Sequence, residues 1–196
     1  MLNLYDILIA FDTMTLHELF AHRIPLLLSP LLEITLLGGT LAVFCVGGTI
    51  ALILALNHRV AETFGLCTAL GGAAFVSSYL KIFIARPRPS MIFQAYQETG
   101  YSFPSQHTTL STALSLFLIH LVFRLTPSRL WRTVILFAGF LIPVSVGFSR
   151  LYLGVHYLSD VIGGMLLGTI FAILGVMVEN SLEHLNQDAK KQIDTQ

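Results

Sequence analysis

The sequence predicts an all-α, polytopic membrane helix bundle of about five transmembrane helices plus an N-terminal interfacial helix. Three observations carry that expectation. Apolar residues make up 55% of the 196, before glycine is counted. Asp, Glu, Lys and Arg together reach only 11%, against about 25% in an ordinary soluble domain, and the mean hydropathy is +0.76. The few charges also separate long uncharged runs. Eleven acidic and eleven basic side chains cannot cover the surface of a soluble globule of this length. The pattern therefore excludes a soluble globular enzyme, a disordered chain and a nucleic-acid binder with a basic face. A net charge of zero and a pI near 7.1 say little about partners; the positions of the charges say more.

Residues 1–28 come first. Leu4, Ile7, Leu8, Phe11, Leu16, Leu19 and Phe20 supply apolar surface, but Asp6, Asp12, His17, Glu18, His22 and Arg23 interrupt it every few residues. That pattern fits an amphipathic helix lying in the membrane interface better than one crossing the bilayer. The segment does not read as a cleaved leader, because no basic stretch precedes its apolar residues and two aspartates break them. Residues 29–180 then hold five runs. Uncharged stretches of 24, 18, 16, 17 and 18 residues lie at Ile34–Asn57, Thr63–Leu80, Thr108–Phe123, Thr133–Ser149 and Val161–Val178. A span needs roughly 20 predominantly apolar residues, so helices are expected near 31–56, 60–84, 107–125, 130–148 and 157–179. Ser29 and Pro30 offer a cap and an N-terminal proline for the first. Residues 85–106 form a loop stiffened by Pro87, Pro89 and Pro104, and 181–196 form a polar tail with a frayed helix end. Cys45 and Cys67 lie inside spans and read as small apolar packing residues, not as a disulfide or metal site.

Alternating helices put loops 85–106 and 149–156 on one face of the membrane. Arg59, Arg124, Arg129, Arg132, Lys190 and Lys191 fall on the other, against Arg23, Lys81, Arg86, Arg88 and Arg150 on the first. By the positive-inside rule the second face is cytoplasmic, which puts the loop face on the periplasm or exterior of a cell (inner, cytoplasmic) membrane. The assignment strengthens if the cations of the first face belong to a site.

Several features make them one. Lys81, Arg86, Arg88 and Arg150 converge on a single loop face where Glu98 and Asp160 are the only nearby acids. Such a cluster suits a dianionic phosphate: arginine offers its oxygens a planar fork and lysine a point charge. Ser105 and the backbone amides of 105–107, including that of Gln106, open a helix and add donors at a positive dipole end. His156 and Asp160 are four residues apart, so on a helix they share a face. Asp160 can fix the tautomer of His156 and leave the other ring nitrogen free to attack. His107, at another helix mouth on the same face, can protonate a leaving oxygen. One histidine attacks, one donates, and fixed cations stabilise the charge in flight. No metal and no cofactor is required.

Three stretches carry a resemblance. Lys81-Ile-Phe-Ile-Ala-Arg-Pro-Arg-Pro89, Pro104-Ser-Gln-His107 and Ser149-Arg150-x5-His156-x3-Asp160 resemble, in order and spacing, the K-x6-R-P, P-S-G-H and S-R-x5-H-x3-D motifs of the type-2 phosphatidic acid phosphatase superfamily, over roughly residues 30–180. The resemblance implies that Lys81, Arg88 and Arg150 bind phosphate with help from Ser105 and the amides after it. It implies that His156 is the nucleophile of a phosphohistidine pathway, His107 the acid and Asp160 the residue that orients His156. Gln106 stands where the family has glycine; a positive φ there would cost on the order of 1 kcal/mol. The family's membrane members usually have six spans, and here the first is replaced by residues 1–28.

Other residues have plainer readings. Arg86 either assists phosphate or snorkels to a headgroup. Tyr101, Phe103 and Tyr152 read as interface-belt aromatics. His120 reads as a packed, hydrogen-bonded histidine, and Gly163, Gly164 and Gly168 as close-packing positions. Glu33 has no assignment beyond a rim contact. The leading function is a metal-independent phosphatase of a membrane lipid phosphate, with phosphatidylglycerol phosphate, phosphatidic acid, undecaprenyl pyrophosphate and a lipid A phosphate as candidate substrates. A lipid phosphotransferase using the same site, and a non-enzymatic anion or lipid transporter, are the alternatives. The expected partners are the bilayer and its lipid phosphate, with no nucleic acid; the pattern specifies no oligomeric state.

Overall fold

The computed structural model describes residues 3–194, with backbone alone for residues 4, 5 and 189–194. Lys190 and Lys191, used in the charge count, therefore lie outside the described side chains. Seven α-helices account for the architecture: α1 (Leu4–Ala21), α2 (Leu28–Leu37), α3 (Thr40–Leu56), α4 (Val60–Ile84), α5 (Gln106–Leu125), α6 (Arg129–Tyr152) and α7 (Leu158–Asp194), with a 3-10 turn at Pro25–Leu27. No strand occurs among the described residues.

Helices α4 to α7 are each long and apolar enough to cross a membrane. They coincide with four of the five expected spans. α4 and α5 both lie along α7, while α6 leans on α5, and α2 leans on α6. A buried core between α3, α4 and α5 is built from Val43, Leu66, Leu70, Leu110 and Phe117. Among lipid-exposed helices, close backbone approach replaces the hydrophobic drive of water, and α7 carries the glycines that permit it. A Cβ on Gly168 would lie 2.4 Å from the Thr109 carbonyl oxygen, and one on Gly175 would lie 2.5 Å from that of Gly65. The close-packing reading of Gly164 and Gly168 holds for the same reason, against Ser105 and Thr109. α7 runs on to Asp194, so the polar stretch from 181 is the end of that helix as far as the described residues go.

The expected single span over 31–56 is wrong. The chain breaks at Gly38-Gly39 into α2 and the 17-residue α3. The cause is steric and conformational. Gly39 is extended (φ −61, ψ 143), and a Cβ on Gly38 would fall 2.5 Å from Val146 and 2.9 Å from the His107 carbonyl oxygen. Ser29 lies inside the first turn of α2 and does not cap it. A fifth crossing is available only as the bent pair formed by α1 and the Pro25–Leu37 segment, which meet at 106°. Tyr152, at the end of α6, accepts the Ile24 amide on its hydroxyl at 2.6 Å and so secures that bend; it is buried, not an exposed belt residue.

Candidate active site

Because the helices alternate in direction, the C-terminal ends of α4 and α6 meet the N-terminal ends of α5 and α7. Each delivers one motif. Lys81 stands in the last turn of α4, which Ala85 terminates in the left-handed region (φ 47). The 85–105 loop returns through a cis Phe103–Pro104 peptide to Ser105, the N-cap of α5. Arg150 closes α6, and a turn at Gly154 (φ 70) leads to His156 and α7. Glycine is required there twice over, since a Cβ would also sit 2.0 Å from the Phe93 carbonyl oxygen. The Ala95 amide donates to the Leu153 carbonyl at 2.9 Å, which ties the long loop to that turn.

These elements enclose a cavity of about 290 Å³, lined by Lys81, Arg88, Gln106, His107, His156 and residues of the 98–101 stretch. Five predicted site residues thus share one wall. His156 is 2% exposed. Its Nδ1 lies 3.3 Å from Asp160 Oδ2, and its Nε2 lies 3.2 Å from Arg88 Nη1. Arginine carries donors only, so Nε2 has to be the acceptor and the ring proton sits on Nδ1, facing Asp160. The lone pair is therefore on the cavity side. Burial holds the imidazole well below its ordinary pKa, with Arg150, Arg88 and Lys81 pushing in the same direction. The ring stays neutral, as attack demands.

The remaining predicted residues lie just behind the wall. Asp160 is fully buried; it accepts the Tyr157 amide on Oδ2 at 2.9 Å and Arg86 Nη1 on Oδ1 at 2.6 Å. Ser105 is fully buried too, its hydroxyl paired with Thr108 at 2.9 Å and its amide donating to the Asp160 carbonyl at 3.0 Å. It ties α5 to α7 and does not line the cavity. Gln106 begins α5 in helical conformation, so the position needs no positive φ and the expected strain is absent. Arg150 is completely buried; it donates to Thr35 at 3.0 Å, to the Tyr96 hydroxyl at 2.5 Å and to Glu98, while its Nε has no partner.

Two participants carried no specific role in the sequence. Glu98 receives Arg150 and the Tyr96 hydroxyl, with Arg88 at 3.5 Å. Burial alone would raise its carboxyl, but Arg150 ahead of Tyr96 and Arg88 holds it down to about 2. It is the one carboxylate among the cavity-lining residues. Arg86 is neither a cavity residue nor a snorkelling one: it bridges Asp160 and Asp12. No motif spacing could signal either, because one is a loop acid and the other pairs residues 74 apart. Glu33 lines a second groove of about 430 Å³ beside Leu32, Leu36 and Tyr96, which shares Glu98, Thr99 and His107 with the cavity.

Residues 62–181 match the PAP2 superfamily. The chain belongs to that superfamily. Three similar proteins illustrate the likeness. It is 31% identical over 119 residues, 60% of this chain and 58% of the relative, to phosphatidylglycerophosphatase B of Bacillus subtilis. It is 35% identical over 85 residues, 42% of this chain and 36% of the relative, to undecaprenyl-diphosphatase of Sulfolobus acidocaldarius. The matched segment thus spans less than two thirds of either relative. The crystal structure of a transmembrane PAP2-type phosphatidylglycerolphosphate phosphatase from Bacillus subtilis superposes with a TM-score of 0.81 at 23% identity, covering 90% of this chain and 88% of that one. The PAP2 fold, a multi-pass membrane bundle, is therefore the fold of this protein.

Proposed function

We propose that the protein is a membrane lipid phosphatase that hydrolyses a phosphomonoester or diphosphate of a lipid through a phosphohistidine, without a metal. The observation that carries the reading is His156 on the cavity wall, its tautomer set by Asp160 on one side and Arg88 on the other. The bound phosphate draws Arg88 onto its oxygens and frees the Nε2 lone pair that Arg88 holds; that lone pair attacks phosphorus, the P–O bond to the lipid breaks, and His107, which lines the same cavity, gives the leaving alkoxide its proton. Water, deprotonated by His107, then attacks the phosphohistidine and releases phosphate. Lys81, Arg88 and Arg150 carry the charge on the phosphoryl oxygens, the role a metal has in other phosphatases. Phosphate displaces Glu98 from the arginines when it binds.

The lipid part of the reading is supported by the second groove. It adjoins the cavity at Glu98, Thr99 and His107 and opens past Leu32 and Leu36, of which Leu36 is 59% exposed on α2. A tail lying there keeps its apolar surface in the bilayer while the headgroup reaches the histidines. The names of the relatives, a phosphatidylglycerophosphatase and an undecaprenyl-diphosphatase, point to the same substrate class. The basic residues at the opposite end support a site that faces the periplasm or exterior of the cell membrane. Purified protein in excess EDTA should release phosphate from phosphatidylglycerol phosphate, phosphatidic acid or undecaprenyl pyrophosphate. Activity that vanishes in EDTA and returns with Mg²⁺ contradicts the mechanism. No release from any of the panel contradicts the function.

A further inference from the structure

We propose that Asp12, in the N-terminal helix, is a positioning residue that acts through Arg86 on Asp160 and so sets the basicity of His156. The kinetic arm of the test below rests on the phosphatase reading; the titration arm does not.

Asp12 belongs to α1, outside the 62–181 stretch that matches the family, yet it is only 3% exposed. Its Oδ2 accepts Arg86 Nη2 at 2.6 Å and the Ser159 hydroxyl at 2.6 Å, and its Oδ1 accepts the Ser159 amide at 2.8 Å. From its other nitrogen, Nη1, Arg86 donates to Asp160 Oδ1 at 2.6 Å and to the Ser159 hydroxyl at 2.7 Å. Its guanidinium carbon lies 4.3 Å from the centre of the Tyr157 ring. One guanidinium therefore serves two buried carboxylates, one of which holds His156 by its other oxygen.

That division of charge has a chemical consequence. If Arg86 paired with Asp160 alone, it would cancel most of the field that Asp160 exerts on the imidazole, and His156 would become a weaker base and nucleophile. Asp12 takes half of the guanidinium. It leaves Asp160 anchored but still effectively anionic. The other charged groups that face His156 are Arg150 from α6, Arg88 and Glu98 from the 85–105 loop, and Lys81 from α4. His107 of α5 lines the same cavity. The three cations lower the His156 pKa and Glu98 raises it; none of these groups is altered in the variants below, so a change in the titration of His156 reports the α1 contact. Arg86 does not line the cavity, which separates this role from phosphate binding.

The test compares Asp12→Asn and Arg86→Gln in the full-length protein in detergent micelles. The His156 ring is titrated by NMR, assigned by the loss of its signal in His156→Gln, and kcat and KM are measured on a lipid phosphate. Asp12→Asn should lower the His156 pKa by roughly half a unit and Arg86→Gln should raise it by a similar amount. kcat should fall about threefold in Asp12→Asn, matching the half-unit loss of basicity, and about a hundredfold in Arg86→Gln, where Asp160 loses the anchor that aligns the imidazole, with KM held within about twofold because neither residue touches substrate. Should Arg86→Gln fail to fold, Arg86→Lys, which keeps one of the two bridges, should give an intermediate kcat and a smaller upward shift. Shifts of the same sign in both variants, or an unmoved titration, reduce Asp12 to a structural anchor and overturn the proposal. A rise in KM at constant kcat in Arg86→Gln makes Arg86 a phosphate ligand and overturns it as well. A wild-type protein that releases no phosphate while the titration shifts appear overturns the phosphatase reading alone.

Discussion

The two ends of the α4–α7 bundle both bury charge, and they differ in its balance. At the end opposite the cavity, Glu62, Glu179 and Glu183 bring their carboxylates together. Arg59 binds Glu62 at 2.8 Å, Arg124 binds both Glu179 and Glu183, and His120 lies 3.2 Å from Glu179. Acid-rich as this end is, each of these carboxylates has a fixed basic partner, and the cluster ties α4, α5 and α7 together. At the cavity end, Lys81, Arg88 and Arg150 surround one carboxylate, Glu98. That end keeps an excess of positive charge, a buried arginine Nε without a partner, and a neutral histidine whose lone pair faces the space between. Buried charge that is internally satisfied serves architecture. Buried charge left in excess is organised around an anion that arrives from outside.

The largest effect is expected at His156. His156→Ala should leave less than about 0.1% of the phosphate release, with the protein still eluting as folded on size exclusion. Next comes Arg150→Ala, for which turnover should fall at least about a hundredfold and vanadate inhibition should weaken in parallel. Vanadate mimics the phosphoryl transition state and needs the same charge. Glu98→Gln is expected to act in the other direction. Removing the carboxylate that competes for Arg150 and Arg88 should lower KM by about threefold and tighten inhibition by inorganic phosphate, measured as a shift in the inhibition constant. At the opposite end, Arg124→Met should cost on the order of 2 kcal/mol of stability, because it strands buried Glu179, and leave KM unchanged. Equal effects of Arg124→Met and Arg150→Ala on KM would erase the distinction between the two ends.

The pH response sharpens the same contrast. The folded His156 pKa lies well below the ordinary 6.5. Below about pH 6.5 the unfolded chain takes up a proton that the folded protein does not, so stability falls as the pH is lowered through that range. The loss should be smaller in His156→Gln. Activity should survive below pH 6.5, since the nucleophile stays neutral there. Glu98, held at about 2, behaves as a depressed carboxyl: its contribution is complete above its ordinary 4.5 and is lost only as the pH falls from there toward 2. Thermal melts of the wild type and His156→Gln from about pH 4.5 to 7.5 check the first, and melts of the wild type and Glu98→Gln from about pH 2.5 to 5 check the second.

Much of this was legible in the sequence because it is local. Uncharged runs of span length have one solution in a bilayer, and α4 to α7 appear where those runs lie. The i, i+4 spacing of His156 and Asp160 survives as a hydrogen bond because it needs only one helical turn. The failures are non-local. Gly38 and Gly39 break a run of perfect hydropathy because Val146 and the His107 carbonyl occupy the space beside them, and hydropathy does not register that contact. Asp12 reads as an interruption in an amphipathic helix until it meets Ser159, 147 residues away. Ser105 reads as a phosphate donor from its place at a helix mouth; its hydroxyl is buried and pairs with Thr108, and burial of that kind comes from packing that spacing does not register.

As the nucleophile, His156 becomes covalently phosphorylated, and that species can be trapped. The substrate is a ³²P-labelled aryl phosphate with a leaving group that needs no protonation. The protein is His107→Ala in excess EDTA, so that hydrolysis of the intermediate is slowed. Label should appear on the protein, stable in base, labile in acid, absent from His156→Ala, and mapped to the peptide containing His156. Unlabelled protein that still turns over, or label that persists in His156→Ala, would contradict that role of His156.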